Sequence, residues 1–137
     1  MLNADARALQ STPVAGTWTA RVDEGQFSAR FDTPETPSLL VVECSAPEGL
    51  LTLSLARGNL PAPPITLRLI SATRTLELQT APARPTYLVS VRDSAPEHDL
   101  LISTLGTPGE SFALDVGGII TTFPWDDALA TTLGACR

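Results

Sequence analysis

Residues 39–55 read Leu-Leu-Val-Val-Glu-Cys-Ser-Ala-Pro-Glu-Gly-Leu-Leu-Thr-Leu-Ser-Leu, and the fold turns on this stretch. Leu39, Leu40, Val41 and Val42 run without a polar gap, which predicts a strand buried on both faces. Leu51, Leu53 and Leu55 alternate with Thr52 and Ser54, which predicts a strand with one wet face. Between them, Ala46-Pro-Glu-Gly49 has turn chemistry, because Pro47 fixes φ and Gly49 is free to take positive φ. The two strands form a hairpin on which the rest of the chain is expected to pack.

Toward the N-terminus, Thr33-Pro-Glu-Thr-Pro37 holds two prolines and cannot continue a central strand. Before it, Trp18–Val22 and Phe27–Phe31 alternate apolar and polar residues around Asp23-Glu-Gly25, the pattern of a hairpin with Trp18, Ala20, Val22, Phe27, Ala29 and Phe31 facing inward. Leu2 to Gln10 reads either as a two-turn helix or, with the rest of residues 1–15, as a loose segment.

Toward the C-terminus, Asn59–Pro64 is a stiff, proline-rich connection. A third hairpin follows, with Ile65, Leu67 and Leu69 in phase on one strand and Leu76 and Leu78 on the next. Ala81–Pro85 breaks the pattern before a strand at Tyr87–Val91, and Asp93–Asp99 breaks it again before a strand at Leu100–Leu105. Phe112, Leu114 and Val116 alternate up to the Gly117-Gly118 turn. Roughly ten short strands at this spacing predict an antiparallel β-sandwich. The last segment departs from that rhythm. Pro124 suits a first helical position, Asp126 and Asp127 suit a first turn, and Trp125, Leu129, Leu133 and Cys136 share one face of a short terminal helix.

A chain of 137 residues predicts one domain, 1–137, able to bury roughly 68% of its unfolded surface. Apolar residues make up 43% and charged residues 18%, which fits a globular chain rather than a disordered one. The net charge is −6, and all nine basic residues are scattered arginines, so nucleic acid is not an expected partner. No stretch approaches the roughly 20 apolar residues that cross a bilayer, so no membrane span is expected. Met1–Gln10 shows neither an apolar h-region nor a basic start.

Cys44 and Cys136, 92 residues apart with a single histidine elsewhere, supply too few ligands for a four-ligand zinc site and do not form a thioredoxin-type pair. They are either two unpaired thiols or one disulfide clipping the C-terminus to the core. A bridge would imply an oxidising compartment.

Candidate chemistry is thin. His98, the only histidine, lies in Asp93-Ser-Ala-Pro-Glu-His-Asp99, which reads as a solvated loop before it reads as the home of a general base. Asp93, Glu97, His98 and Asp99 are metal-ligand types, but they lack calcium-loop spacing and also make ordinary turns. Gly109-Glu-Ser-Phe-Ala113 resembles a nucleophile elbow but ends in Ala, so Ser111 reads as a strand start. Gly117-Gly118 lacks the spacing of a phosphate cradle. Asp126 and Asp127 are the nearest carboxylate pair, explained by a helix start. Trp18, Trp125 and Tyr87 would suit a sugar- or peptide-binding face, yet each falls in phase with core neighbours. Exposed strand edges offer a further route, recruitment of a partner by strand addition, with Pro34, Pro37, Pro61, Pro63 and Pro64 masking some edges.

From Leu39 onward, Cys44 follows a buried strand, Thr66-Leu-Arg-Leu69 lies in a later strand, and Phe112–Gly118 leads to a terminal helix ending Leu133-Gly-Ala-Cys136. This layout resembles the small envelope proteins associated with bacterial type VI secretion. The resemblance implies a secreted β-sandwich with a disulfide from a strand to the C-terminal helix, here Cys44 to Cys136, and an accessory, non-enzymatic role. No functional residue carries over with it. The expectation is a non-enzymatic binding or accessory module of the bacterial envelope, periplasmic or extracellular, with another envelope protein as partner and no cofactor or metal. A barrel-like carrier of small apolar ligands and a hydrolase using His98 are the alternatives.

Overall fold

The computed structural model describes residues 4–56, 58, 65–83, 86–109 and 111–137. Helix α1 (Ala4–Gln10) precedes the hairpin of β1 (Thr17–Asp23) and β2 (Gln26–Asp32), then that of β3 (Leu40–Ser45) and β4 (Leu50–Ala56). Strands β5 (Thr66–Ile70), β6 (Thr75–Gln79), β7 (Ala81–Ala83) and β8 (Thr86–Val91) follow. Helix α2 (Pro96–Gly106), β9 (Ser111–Val116), β10 (Ile119–Pro124) and helix α3 (Asp127–Gly134) complete the order. The strands form two antiparallel sheets, β1-β2-β3-β4-β8-β7 and β10-β9-β5-β6, so the chain is mainly β and sandwich-like.

The inward face of the six-stranded sheet is set by alternation. Ala29 and Phe31 of β2, Leu40, Val42 and Cys44 of β3, Leu51, Leu53 and Leu55 of β4, and Tyr87, Val89 and Val91 of β8 are all buried. Opposite them lie Leu67, Leu69, Leu76, Leu78, Phe112, Leu114, Val116 and Phe123 of the four-stranded sheet, in the same core cluster. The four-stranded sheet is covered on its other face too, because Ile70 and Ala113 pack against Ala8 of α1. That explains why Phe112, Ala113 and Leu114 are buried in succession.

The two sheets meet around Phe31. Its ring lies 5.2 Å from Trp18 and 5.6 Å from Phe123, and Phe123 stacks on Phe112 at 5.5 Å. At the opposite end, α3 packs on β1, β2 and β3 and α2 packs on α3. Cys136 is joined to Cys44 there by a disulfide, with Cα atoms 5.9 Å apart.

Five expectations are corrected. Leu100–Leu105 is helical, because Pro96 occupies a first-turn position and His98, Leu101, Ile102 and Leu105 form a buried stripe at helical spacing. Strand β3 is buried on one face rather than two, with Val41 half-buried and Glu43 exposed. Strand β1 lies at the sheet edge, so Ala20 and Val22 are exposed despite their phase, and Trp18 is only half-buried. Ala81–Ala83 is a short edge strand rather than a break. Pro124 closes β10, and α3 instead starts at Asp127, behind an Asp126 cap whose carboxylate accepts the Ala128 N–H at 2.9 Å.

Candidate functional site

A two-sheet fold leaves four edges, and a free edge is a row of unpaired main-chain donors and acceptors. Three are blunted. Strand β7 has three residues and contains Pro82. Strand β6 has five, with the charged, exposed Glu77 at its centre. On β10, the two-residue turn Gly117-Gly118, with φ of 61° and 89°, sets the register so that Ile120, Thr122 and Pro124 present their backbone outward. Two of these are occupied. The Val14 N–H donates to Thr122 O at 2.8 Å, and the Trp18 indole donates to Pro124 O at 2.8 Å.

Strand β1 differs from all three. Glu24 and Gly25, with φ of 50° and 82°, close its hairpin with β2 through the Asp23–Gln26 pair. In that register Thr17, Thr19, Arg21 and Asp23 bond to β2, while Trp18, Ala20 and Val22 turn their main-chain groups outward. The strand is seven residues long with neither proline nor lysine, and Val22 is 59% exposed. Its turn is held firmly, since the Ala46 N–H donates to Gly25 O at 3.0 Å and Gln26 Nε2 donates to Ser45 Oγ at 3.0 Å. Gly16, just before β1, runs so close to Asp32 O and the Phe31 ring that any side chain would collide with them. Pro34 and Pro37 lie in the connection between neighbouring strands β2 and β3 and mask no edge, and Pro61, Pro63 and Pro64 lie outside the described residues.

His98 is not in a solvated loop. It sits in the first turn of α2, 2% exposed, and its Nε2 lies 2.9 Å from Gly49 O. A carbonyl only accepts, so Nε2 carries the proton and donates it. Nδ1 faces Asp99 Oδ1 at 3.8 Å, but the Asp99 side chain is 96% exposed. The ring thus ties α2 to the β3–β4 turn, where Gly49 takes φ of +63° and a Cβ would stand 2.9 Å from Asp93 Oδ2. Asp93, His98 and Asp99 line a shallow cleft of about 300 Å³ beside Cys136 and Arg137, whereas Glu97 faces a separate cleft near β6 and β8. Among the described residues no group of three or more His, Cys, Asp or Glu is placed to hold a metal ion.

The remaining candidates have structural engagements. The Ser111 hydroxyl donates to Leu9 O at 3.1 Å and begins β9. Asp115 Oδ1 accepts the Gly118 N–H at 3.0 Å, which makes Gly117-Gly118 a hairpin turn. Tyr87 is fully buried, and the Trp125 indole donates to Leu105 O at 2.8 Å. Among the described residues no helix is long and apolar enough to cross a membrane. Comparison with protein families, with curated proteins and with solved structures finds no match to this chain.

Proposed function

We propose that this chain is a non-enzymatic binding module of the bacterial envelope that takes an extended segment of a partner protein onto the free edge of β1. One observation carries the reading: β1 is a seven-residue strand without proline whose outward main-chain groups lie at the exposed, uncharged Ala20 and Val22, its charges Arg21 and Asp23 standing at the positions that bond to β2. Its tied turn and packed neighbours present that edge in a fixed shape, so little ordering cost remains at binding. The Cys44–Cys136 disulfide is compatible with an oxidising compartment and so supports the envelope setting. His98, committed to Gly49 O, serves the scaffold in this reading.

The test is Ala20→Pro, which removes an outward N–H from an exposed edge position without breaking a β1–β2 bond. Strand addition uses several main-chain bonds worth about 0.5–1.5 kcal/mol each, so partner capture should fall about tenfold or more. A photo-crosslinker at position 21 reports capture in envelope extracts, with Ile120→Pro on β10 as the matched control. Equal capture by Ala20→Pro, or loss in both variants alike, overturns the proposal.

A further inference from the structure

The residues of the β1 edge say what fits it. Strand β1 reads Thr17-Trp-Thr-Ala-Arg-Val-Asp23, and its apolar members Trp18, Ala20 and Val22 hold the positions whose main-chain groups point away from β2. The same three take the inward face of the six-stranded sheet: the Trp18 ring lies 5.2 Å from Phe31, and Ala20 stands opposite the buried Ala29. The roof stops short of that face, because Ala20 is exposed and Val22 is 59% exposed. Thr17, Thr19, Arg21 and Asp23 take the other face. An occupant of this edge therefore has to be an extended strand, apolar beside Trp18, Ala20 and Val22 and polar on its reverse.

Strand β1 answers that description. Set antiparallel to a second copy of itself about a twofold axis at Ala20, it places residues 18, 20 and 22 opposite 22, 20 and 18, and each such pair exchanges both main-chain bonds. Trp18 of each copy then stands beside Val22 of the other, an aromatic against a β-branched side chain, with the two small Ala20 side chains between them. On the reverse face Arg21 meets Thr19 and Asp23 meets Thr17, so no like charges stand directly opposite, and each Arg21 keeps Asp23 of its own strand two residues away. The other registers fit worse. Centring on Thr19 sets Val22 against Gly16, centring on Arg21 sets two arginines face to face, and centring on Val22 drives Ala20 against the turn residue Glu24, at φ of 50°. We propose that the resting protein is a symmetric dimer joined β1 to β1 about Ala20, and that a partner's segment reaches the edge only by displacing the second copy. This regulation rests on the reading of β1 as a recruiting edge, for which the second copy is the competitor.

Sedimentation velocity of the purified, oxidised protein from about 1 to 500 µM should show its mass rising from one chain to two. Ala20→Pro removes the N–H that each copy gives at the axis, so it should raise the dissociation constant about tenfold or more, with Ile120→Pro unchanged. Ala20→Cys reads the register. With Cys44 and Cys136 already bridged, oxidised glutathione should link two copies through position 20, whereas Val22→Cys, facing Trp18, should not link to itself. In envelope extracts the linked dimer, carrying the photo-crosslinker at position 21, should capture no partner. A mass of one chain throughout, a dimer indifferent to Ala20→Pro, preferential linking through Val22→Cys, or full capture by the linked dimer overturns the inference. Capture by a protein that stays monomeric would overturn it and leave the recruiting edge standing, whereas a β1 dimer whose unlinked form captures nothing would uphold the pairing and remove the recruiting edge instead.

Discussion

The six-stranded sheet is roofed differently at its two ends. Along the row Phe31, Leu40, Leu55 and Tyr87 it is covered by a second hydrogen-bonded sheet and a cluster of four aromatic rings. Along the row Phe27, Cys44, Leu51 and Val91 it is covered by α3, backed by α2. Helices of eight and eleven residues are marginal on their own, whereas a four-stranded sheet packed on both faces supports itself. Both roofs carry polar fastenings, the His98–Gly49 and Trp125–Leu105 bonds at the helical end and the Trp18–Pro124, Ser111–Leu9 and Thr122–Ala8 bonds at the four-stranded sheet, but the disulfide lies at the helical end. The roof that holds itself together less well is the one with the covalent clamp.

The comparison breaks most sharply at the disulfide. Replacing both Cys44 and Cys136 by Ala should cost about 2–5 kcal/mol in denaturant unfolding, given the long loop that the bridge closes. Hydrogen exchange should then show α2 and α3 losing protection before β9 and β10. Simultaneous loss would mean that the two roofs form one cooperative unit. Next in size, His98→Ala removes the donor to Gly49 O and opens a void under the β3–β4 turn, an expected loss of about 2–3 kcal/mol by urea titration. This change should act on the helical end alone, and its effect should not simply add to the cysteine double variant, because the two fastenings are neighbours. Smallest, Asp126→Ala removes the cap of α3 at an expected cost of about 1 kcal/mol, read from the thermal midpoint.

Much of the scaffold was legible in period-two patterning. Leu51, Leu53 and Leu55, Leu67 and Leu69, and Leu76 and Leu78 lie buried in the phase that the residues dictate. The helical end was harder to read. Leu100–Leu105 contains Ile and Thr and passes for a strand unless His98 is counted as apolar-facing, since only then does the spacing 98, 101, 102, 105 emerge. Trp18, Ala20 and Val22 have the phase of core residues, but phase says which face a side chain takes and not whether anything covers that face. An edge position depends on sheet order, which local pattern does not encode. For the same reason the β1 edge does not announce itself in the chain, whereas Gly49 and Gly25 marked their turns through the conformations only glycine takes easily.

The span between the two cysteines also sets an order of events. Cys44 leaves the ribosome 92 residues ahead of Cys136, an interval of about 5–20 seconds at ordinary synthesis rates. Throughout it the earlier thiol has no other cysteine within residues 1–137 to meet, so these residues offer no mispairing among themselves. Through that interval Cys44 also lacks its cover, because α3, which roofs its end of the sheet in the finished fold, is the last element of the chain.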